Sequence, residues 1–259
     1  MCLEQRELMP DVATYQPVLR VLPDREALGA AAAGDISDSF IRRLDSQPEV
    51  RVIFASAPSQ EATLRHLAER PGIDWSRVTA FHMDEYLGLA PGAPQRFGNW
   101  LRAALLDRIP IGTAHLIDPG DDLQATVDHY SALLTAVPID IVCLGIGVNG
   151  HLAFNDPPAD FADPALVKVV TLDEVSRRQQ VDDGCFATLA EVPAQAVTLT
   201  IPALLSAAEL FCMVPGVQKK RAVTAALYGP IDGSVPASAL RTHSQCTVYV
   251  DKESAPDAR

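Results

Sequence analysis

Short apolar runs alternate with longer segments of helical spacing over most of this chain of 259 residues. The runs predicted as strands lie at 50–55, 77–86, 114–118, 139–145, 195–201, 209–216 and 245–251. The segments predicted as helices lie at 24–44, 59–70, 95–108, 123–136, 202–208 and 217–229. Strands that are apolar throughout and alternate with helices indicate βαβ units. We therefore predict an α/β fold, a three-layer sandwich around a mostly parallel sheet.

Individual residues support these boundaries. Asp24 precedes the first predicted helix, as an N-cap residue does, and Pro71 with Gly72 ends the second. No linker, repeat or low-complexity tract divides the chain, so 1–259 is predicted to be a single domain. The segment 156–192 is the least regular, and we interpret it as a lid or a small subdomain.

Composition excludes several classes of partner. Hydrophobic residues make up 48% of the chain and charged residues 21%, as in ordinary soluble proteins, and the formal net charge is −12. A chain without a general basic surface is not expected to bind nucleic acid or an anionic membrane. A phosphorylated substrate remains compatible, because it needs only a local cationic pocket.

The cysteines indicate a reducing compartment. Their number is odd, they are far apart, and they form no CxxC pair or metal-ligand spacing: Cys2, Cys143, Cys185, Cys212 and Cys246. No signal peptide is recognised at the first residues, and no apolar run approaches the ~18 residues of a membrane span. We expect a cytoplasmic protein.

The segment Leu144–Pro158, "LGIGVNGHLAFNDPP", places glycines and a histidine directly after a predicted strand. The glycines suit a tight turn, with positive φ or a close backbone approach to a ligand. His151 titrates near neutral pH and can both take and give a proton, and Asp156 can orient its ring. The alternatives are an ordinary βα turn and a loop histidine bonded to backbone.

Two acids follow another strand in Phe81–Tyr86, "FHMDEY". Strand alternation sends Asp84 and Glu85 to opposite sides, so only one of them can face a shared pocket. A carboxylate in such a pocket can act as a general base. The alternative is an acid that caps a loop at the strand end.

Several residues are candidates for binding a phosphate. Ser56, Ser59 and Gln60 lie at a predicted helix start, where free N–H groups and hydroxyls suit an anion, and the alternative is N-capping by Ser59. The helix dipole disfavours the cations of Lys219–Arg221 in a first helical turn unless an anion binds there. Arg177 and Arg178 are further candidates. The alternative for Lys219–Arg221, and for Arg177 with Arg178, is that these cations lie on a solvated helix surface and bind no ligand.

"FHMDEYLGL" and "LGIGVNGHLAFNDPP" resemble the signature segments of glucosamine-6-phosphate deaminases (isomerases), and the resemblance extends over about 50–250. It implies a Rossmann-like sandwich similar to 6-phosphogluconolactonase and ribose-5-phosphate isomerase. It also implies conversion of glucosamine 6-phosphate and water to fructose 6-phosphate and ammonia, without a metal or redox cofactor. The implied partner is a small sugar phosphate, and the chain is expected to be a monomer or a small homo-oligomer.

The resemblance also implies residue roles. Asp84 matches the base that takes the C2 proton, and His151 matches the group that opens the sugar ring. Asp156 stands where the family usually has a glutamate, and Asn149 at a ring-opening position. The residues expected to bind substrate are Ser56, Ser59, Gln60, Glu85, Gly147, Gly150, Arg177 and Lys219.

Three alternatives to this function remain open at the level of sequence. A 6-phosphogluconolactonase shares the Gly–His loop, but it usually has Asp-Glu-Arg where this chain has Asp84, Glu85 and Tyr86. A non-catalytic sugar-phosphate sensor normally carries a DNA-binding segment, which 1–50 does not resemble. An isomerase for galactosamine 6-phosphate differs only in the hydroxyl stereochemistry that it reads.

Overall fold

A computed structural model describes residues 13–257, so Cys2 lies outside the described residues. The strands are β1 (Val18–Leu22), β2 (Val50–Phe54), β3 (Val78–His82), β4 (Asp84–Tyr86), β5 (Thr113–His115), β6 (Ile141–Leu144), β7 (Val167–Thr171), β8 (Gln195–Leu199), β9 (Glu209–Val214) and β10 (Cys246–Asp251). The helices are α1 (Arg25–Leu44), α2 (Glu61–Ala68), α3 (Phe97–Ala104), α4 (Leu123–Thr135), α5 (Glu174–Asp182), α6 (Ile201–Leu205) and α7 (Lys220–Tyr228).

The main sheet is parallel and carries helices on both faces. Its order is β1-β10-β9-β6-β2-β3-β5, and every neighbouring pair is parallel. One core layer packs α1, α2 and α3 against it, and another packs α4, α6 and α7 against the opposite face. The predicted three-layer sandwich with a mostly parallel sheet is confirmed.

The predicted strand at 77–86 is wrong in one respect, because it is two strands. β3 belongs to the parallel sheet, whereas β4 pairs antiparallel with β8 in a second sheet of order β4-β8-β7. The chain changes sheets at Met83, whose buried side chain joins the main core. The change lifts Asp84 above the carboxyl edge of the parallel sheet.

The segment 156–192 is more regular than its sequence indicates. It contains β7, which pairs with β8, and α5, whose N-cap Asp173 accepts a hydrogen bond from Val175 N at 2.7 Å. Its apolar residues join Tyr86 and Phe97 in a separate small core. The segment thus supplies strand β7 of the small sheet and the helix α5. Its role as a lid stays a prediction.

Helix starts follow the predicted residues in part. Asp24 accepts a hydrogen bond from Ala27 N at 2.8 Å, which confirms it as the N-cap of α1. The helix predicted from Ser59 begins instead with a 3-10 turn, Pro58–Gln60, and no side chain caps it. Ser59 is therefore not an N-cap.

Within residues 13–257, no helix is long and apolar enough to cross a membrane. The same part of the chain brings together no group of three or more His, Cys, Asp or Glu side chains suited to hold a metal ion.

The strand order creates a crevice between β2 and β6. From β2 the chain runs outward through β3 to β5, then returns to β6 and continues outward on the other side through β9. Ligands of open α/β sheets bind beyond the carboxyl ends of the strands at such a reversal. The loops after β2, β3, β6 and β9 all open into this crevice.

Candidate active site

A cleft lies at this reversal point. Most of the residues predicted to form a site line it: Ser56, Ser59, Gln60, Asp84, Gly147, His151 and Lys219. They come from four separate loops or strand ends, and the parallel sheet is what brings them together.

Asp84 supplies a carboxylate to the cleft. Its side chain is buried and, among residues 13–257, receives no hydrogen bond, although its backbone is paired through β4 with Thr198. Burial, with a smaller contribution from the neighbouring Glu85 charge, raises the pKa of Asp84 to about 8. A carboxyl group with such a pKa is a general base matched to mildly alkaline pH.

Glu85 does not line the cleft, and its place among the substrate ligands stays a prediction. As alternation requires, it points away from Asp84, and its carboxylate accepts the N–H groups of Phe97 and Gly98 at 3.0 Å. Arg96 lies 3.6 Å from the same carboxylate. Glu85 therefore holds the N-terminus of α3, where a negative charge complements the helix dipole.

The loop after β6 positions His151 with two glycines. A Cβ on Gly147 would lie 2.1 Å from His151 Nε2, so only glycine leaves room for the imidazole. Gly150 has a φ of +89°, which is the positive value expected for this loop. The loop aims the His151 ring over Gly147 and into the cleft.

A hydrogen-bonded cluster lies behind the imidazole. His151 Nδ1 is 2.8 Å from Ser176 Oγ and 3.3 Å from Asp156 Oδ1. Ser176 Oγ also bonds to the same Asp156 oxygen, and Asn149 Nδ2 donates to it at 3.0 Å. Burial opposes ionisation of Asp156, but its bonds to His151, Ser176 and Asn149 prevail and hold the pKa of this carboxyl well below its usual range. Asp156 is thus a permanent carboxylate that orients His151.

The same cleft also has groups suited to a phosphate. Lys219 is 4% exposed and has no ion-pair partner among the described residues. Burial lowers the pKa of its ammonium group to about 8. Ser56 Oγ and Gln60 Oε1 are buried nearby without a hydrogen-bond partner in the described chain. A buried cation beside an unpartnered hydroxyl is a site for an anion.

Arg177 does not line the cleft, and its role as a phosphate ligand stays a prediction. Its guanidinium donates to the carbonyl oxygens of Leu189 and Val192, both at 2.8 Å, and so fixes the chain that follows α5. Arg178 is an exposed surface residue paired with Glu174. Of these cations, only Lys219 faces the cleft.

One face of α5 supplies site residues that sequence reasoning missed. Ser176, Gln179 and Gln180 are buried, and both glutamines line the cleft. Gln179 Oε1 also accepts a hydrogen bond from Val148 N at 2.9 Å, which ties α5 to the histidine loop. Their spacing of three and four residues was the available signal, since it places them on one helix face.

The sequence matches a known family over residues 23–249. The matching family model is described as glucosamine-6-phosphate isomerases/6-phosphogluconolactonase. A glucosamine-6-phosphate deaminase of Pseudarthrobacter chlorophenolicus is 32% identical, covering 91% of this chain and 90% of its own length. One of Staphylococcus epidermidis is 33% identical, with coverages of 86% and 93%.

Solved structures show the same fold. A monomeric glucosamine-6-phosphate deaminase superposes with a TM-score of 0.83 and 28% identity, covering 92% of this chain and 98% of that one. A 6-phosphogluconolactonase from Shewanella baltica has a TM-score of 0.76 at 18% identity, covering 92% and 100%. At that identity the second likeness concerns the fold alone.

Proposed function

Since the chain belongs to the family of glucosamine-6-phosphate isomerases and 6-phosphogluconolactonases, we propose that it is a glucosamine-6-phosphate deaminase. The reaction converts glucosamine 6-phosphate and water to fructose 6-phosphate and ammonia. The observation that carries the proposal is a buried carboxylate, Asp84, in one cleft with an oriented histidine and the buried cation of Lys219.

Ring opening is the first step, because the cyclic sugar has no carbonyl group beside C2. His151 Nε2 takes the proton from the O1 hydroxyl and returns it to O5 as the C1–O5 bond breaks. Between these two transfers the imidazole of His151 carries a positive charge. The carboxylate of Asp156 stabilises that charge from behind, while Asn149 holds the carboxylate in place.

Proton abstraction follows at C2, which is acidic only beside the newly exposed aldehyde. Asp84 takes this proton, and the resulting enolamine is reprotonated at C1. The iminium formed at C2 is then hydrolysed, which releases ammonia and leaves the keto group of fructose 6-phosphate. A carboxylate stripped of hydrogen-bond donors is a stronger base than one in water, and Asp84 is in that state.

Binding of the phosphate supplies orientation. Lys219 and the hydroxyl of Ser56 lie where they can hold the phosphoryl oxygens, and Gln60 offers an acceptor to a sugar hydroxyl. Contacts remote from the reacting carbon fix its distance from the base.

The proposal is tested by assaying ammonia and fructose 6-phosphate in parallel after adding glucosamine 6-phosphate to the purified protein. Equal amounts of both products are expected. Hydrolysis of 6-phosphogluconolactone without release of ammonia from the amino sugar would contradict the proposal. Galactosamine 6-phosphate in the same assay measures how strictly the hydroxyl configuration is read.

Asp84→Asn is expected to lower kcat by at least about 100-fold, because a carboxamide cannot take the C2 proton. Its KM should stay within a few-fold of the wild-type value, since the phosphate contacts remain. Steady-state kinetics measure both. A kcat near that of the wild type would remove Asp84 from this role.

The partner and compartment belong to the same proposal. The similarity to a monomeric deaminase favours a monomer within the range predicted from the sequence. Four cysteines of the described residues are unpaired, as in a reducing compartment, which supports the cytoplasm as the location.

A further inference from the structure

Ser176 lies between His151 and Asp156 rather than in the cleft. It is fully buried in the first turn of α5, and its Oγ is within hydrogen-bond reach of both partners. The direct contact between His151 Nδ1 and Asp156 Oδ1 is 3.3 Å, longer than a good N–H···O bond. The bond from Nδ1 to Ser176 Oγ is 2.8 Å. The imidazole of His151 is therefore linked to the Asp156 carboxylate through the Ser176 hydroxyl, with closer contacts than the direct one.

The directions of these hydrogen bonds are fixed by counting protons. Asp156 is ionised and can only accept, and it already accepts from Asn149 Nδ2 at 3.0 Å and from Asp173 N at 3.1 Å. The close contact between Ser176 Oγ and Asp156 Oδ1 needs a proton between the two oxygens, and only Ser176 can supply it. The Ser176 oxygen is then left as an acceptor, and the atom facing it, His151 Nδ1, must be the donor.

We propose that Ser176 is a positioning residue that fixes His151 in the Nδ1–H tautomer, with the Nε2 lone pair facing the cleft. The effect of this tautomer on turnover rests on the proposed function. One proton moves from the sugar O1 hydroxyl to Nε2 and then to O5, while Nδ1 and Ser176 keep theirs throughout. The positive charge formed on the ring is met by the Ser176 oxygen, which Asp156 polarises from the far side.

The tautomer is measured directly by NMR in the protein without substrate. Uniformly ¹⁵N-labelled histidine gives separate signals for the protonated and unprotonated ring nitrogens, and the His151→Gln spectrum assigns the residue among the six histidines. At alkaline pH the wild type is expected to show a protonated Nδ1 and an unprotonated Nε2. A predominant Nε2–H tautomer would overturn the proposal, whatever the variants do.

Kinetics of two variants test the role in turnover. Ser176→Ala is expected to lower kcat by about 10- to 100-fold with KM nearly unchanged, and to mix the two tautomers, because the hydroxyl touches the ring and not the substrate. Adding Asp156→Glu to this variant lengthens the carboxylate arm by about 1.5 Å. The glutamate can then reach Nδ1 itself, so the double variant should regain most of the lost kcat and the Nδ1–H tautomer.

Ser39→Ala is the matched control. Ser39 is equally buried and also donates to a carboxylate, that of Glu209, but it lies at the opposite end of the sheet, where β9 begins. Its loss should leave kcat and the His151 tautomer unchanged. If Ser176→Ala also leaves both unchanged, Ser176 has no positioning role. If wild type shows no turnover at all, the proposed function fails, whereas the tautomer measurement still decides the part played by Ser176.

Discussion

Asp84 and Lys219 carry the two displaced pKa values that decide how the cleft responds to pH. Burial raises the pKa of the Asp84 carboxyl to about 8 and lowers that of the Lys219 ammonium to about 8. The base is active when Asp84 is ionised, hence above that pH. The phosphate is held when Lys219 is charged, hence below it.

The pH profile of kcat/KM is therefore expected to be a narrow bell with its maximum near pH 8. In the free enzyme its acidic limb belongs to Asp84 and its alkaline limb to Lys219. In Lys219→Arg the guanidinium stays charged at every accessible pH, so the alkaline limb should disappear, although the longer side chain raises KM. Initial rates at low substrate between pH 6 and about 10 measure this.

The acidic limb serves as the internal control in this experiment. It depends on Asp84 and should remain where it is in Lys219→Arg. An alkaline limb that persists in the arginine variant would mean that another group titrates there.

At the scale of elements, the first turn of α3 depends on Glu85. Its carboxylate accepts three backbone N–H groups, those of Tyr86, Phe97 and Gly98, and lies beside Arg96. Glu85→Gln removes the charge and turns an amide N–H₂ group toward donors. We expect the free energy of unfolding to fall by about 2 kcal/mol in urea titrations.

The same variant separates a structural role from substrate binding. KM should change little, because Glu85 does not line the cleft, and the acidic limb of kcat/KM should move to lower pH, since the Glu85 charge contributes to the raised pKa of Asp84. Glu61→Gln, an exposed acid in the first turn of α2, is the control and should change stability by less than about 0.5 kcal/mol. A large rise in KM for Glu85→Gln would instead support the predicted contact between Glu85 and the substrate.

The elements of the main sheet were predictable because their sequences are apolar on both faces. β2 and β6 are buried at every position, and no other structure suits such short runs. β1 and β7 escaped prediction because part of each strand is exposed and the apolar signal is diluted. The break at Met83 was not predicted from the sequence. β3 and β4 are both buried strands, and nothing in the residues between them indicates a change of sheet.

The candidate site was predictable where a motif lies at a strand end. Asp84 lies two residues after β3, and His151 lies in the loop after β6, so the parallel order of these strands brings both to the same edge of the main sheet. The position of Arg177 outside the cleft was not predictable, because a charge does not reveal which face of α5 it occupies. Ser176 was overlooked because a single serine in a polar helix carries no signal until its two partners are in place.

At the scale of the whole molecule, the chain combines a net charge of −12 with one buried cation in its cleft. The general field repels anions, so any affinity for phosphate depends on Lys219 and the few groups around it. Such dependence makes the stability of the entire fold sensitive to an anion in the cleft, because a ligand that binds only the native state stabilises it.

Inorganic phosphate at about 100 times its Kd is expected to stabilise the wild type by roughly 2.7 kcal/mol. In Lys219→Ala this increment should be lost, because the buried cation is gone. Thermal unfolding with and without phosphate measures the shift in Tm. Lys220→Ala is the matched control, since Lys220 is paired with Asp257 at the surface and its loss should leave the shift intact. An equal phosphate effect in both variants would place the anion elsewhere.

The burial of Lys219 also links occupancy of the cleft to the acidity of the surrounding medium. Near pH 8 the Lys219 amine is protonated in about half of the molecules. Binding of a phosphate dianion favours the charged form, so the remaining amines take up a proton. The proton taken up on binding returns to solution when the product leaves, so over a full turnover only the ammonia released, itself a base, makes the medium more alkaline. In a weakly buffered volume, turnover would drive the medium toward the alkalinity at which Lys219 discharges, so the catalyst would slow itself.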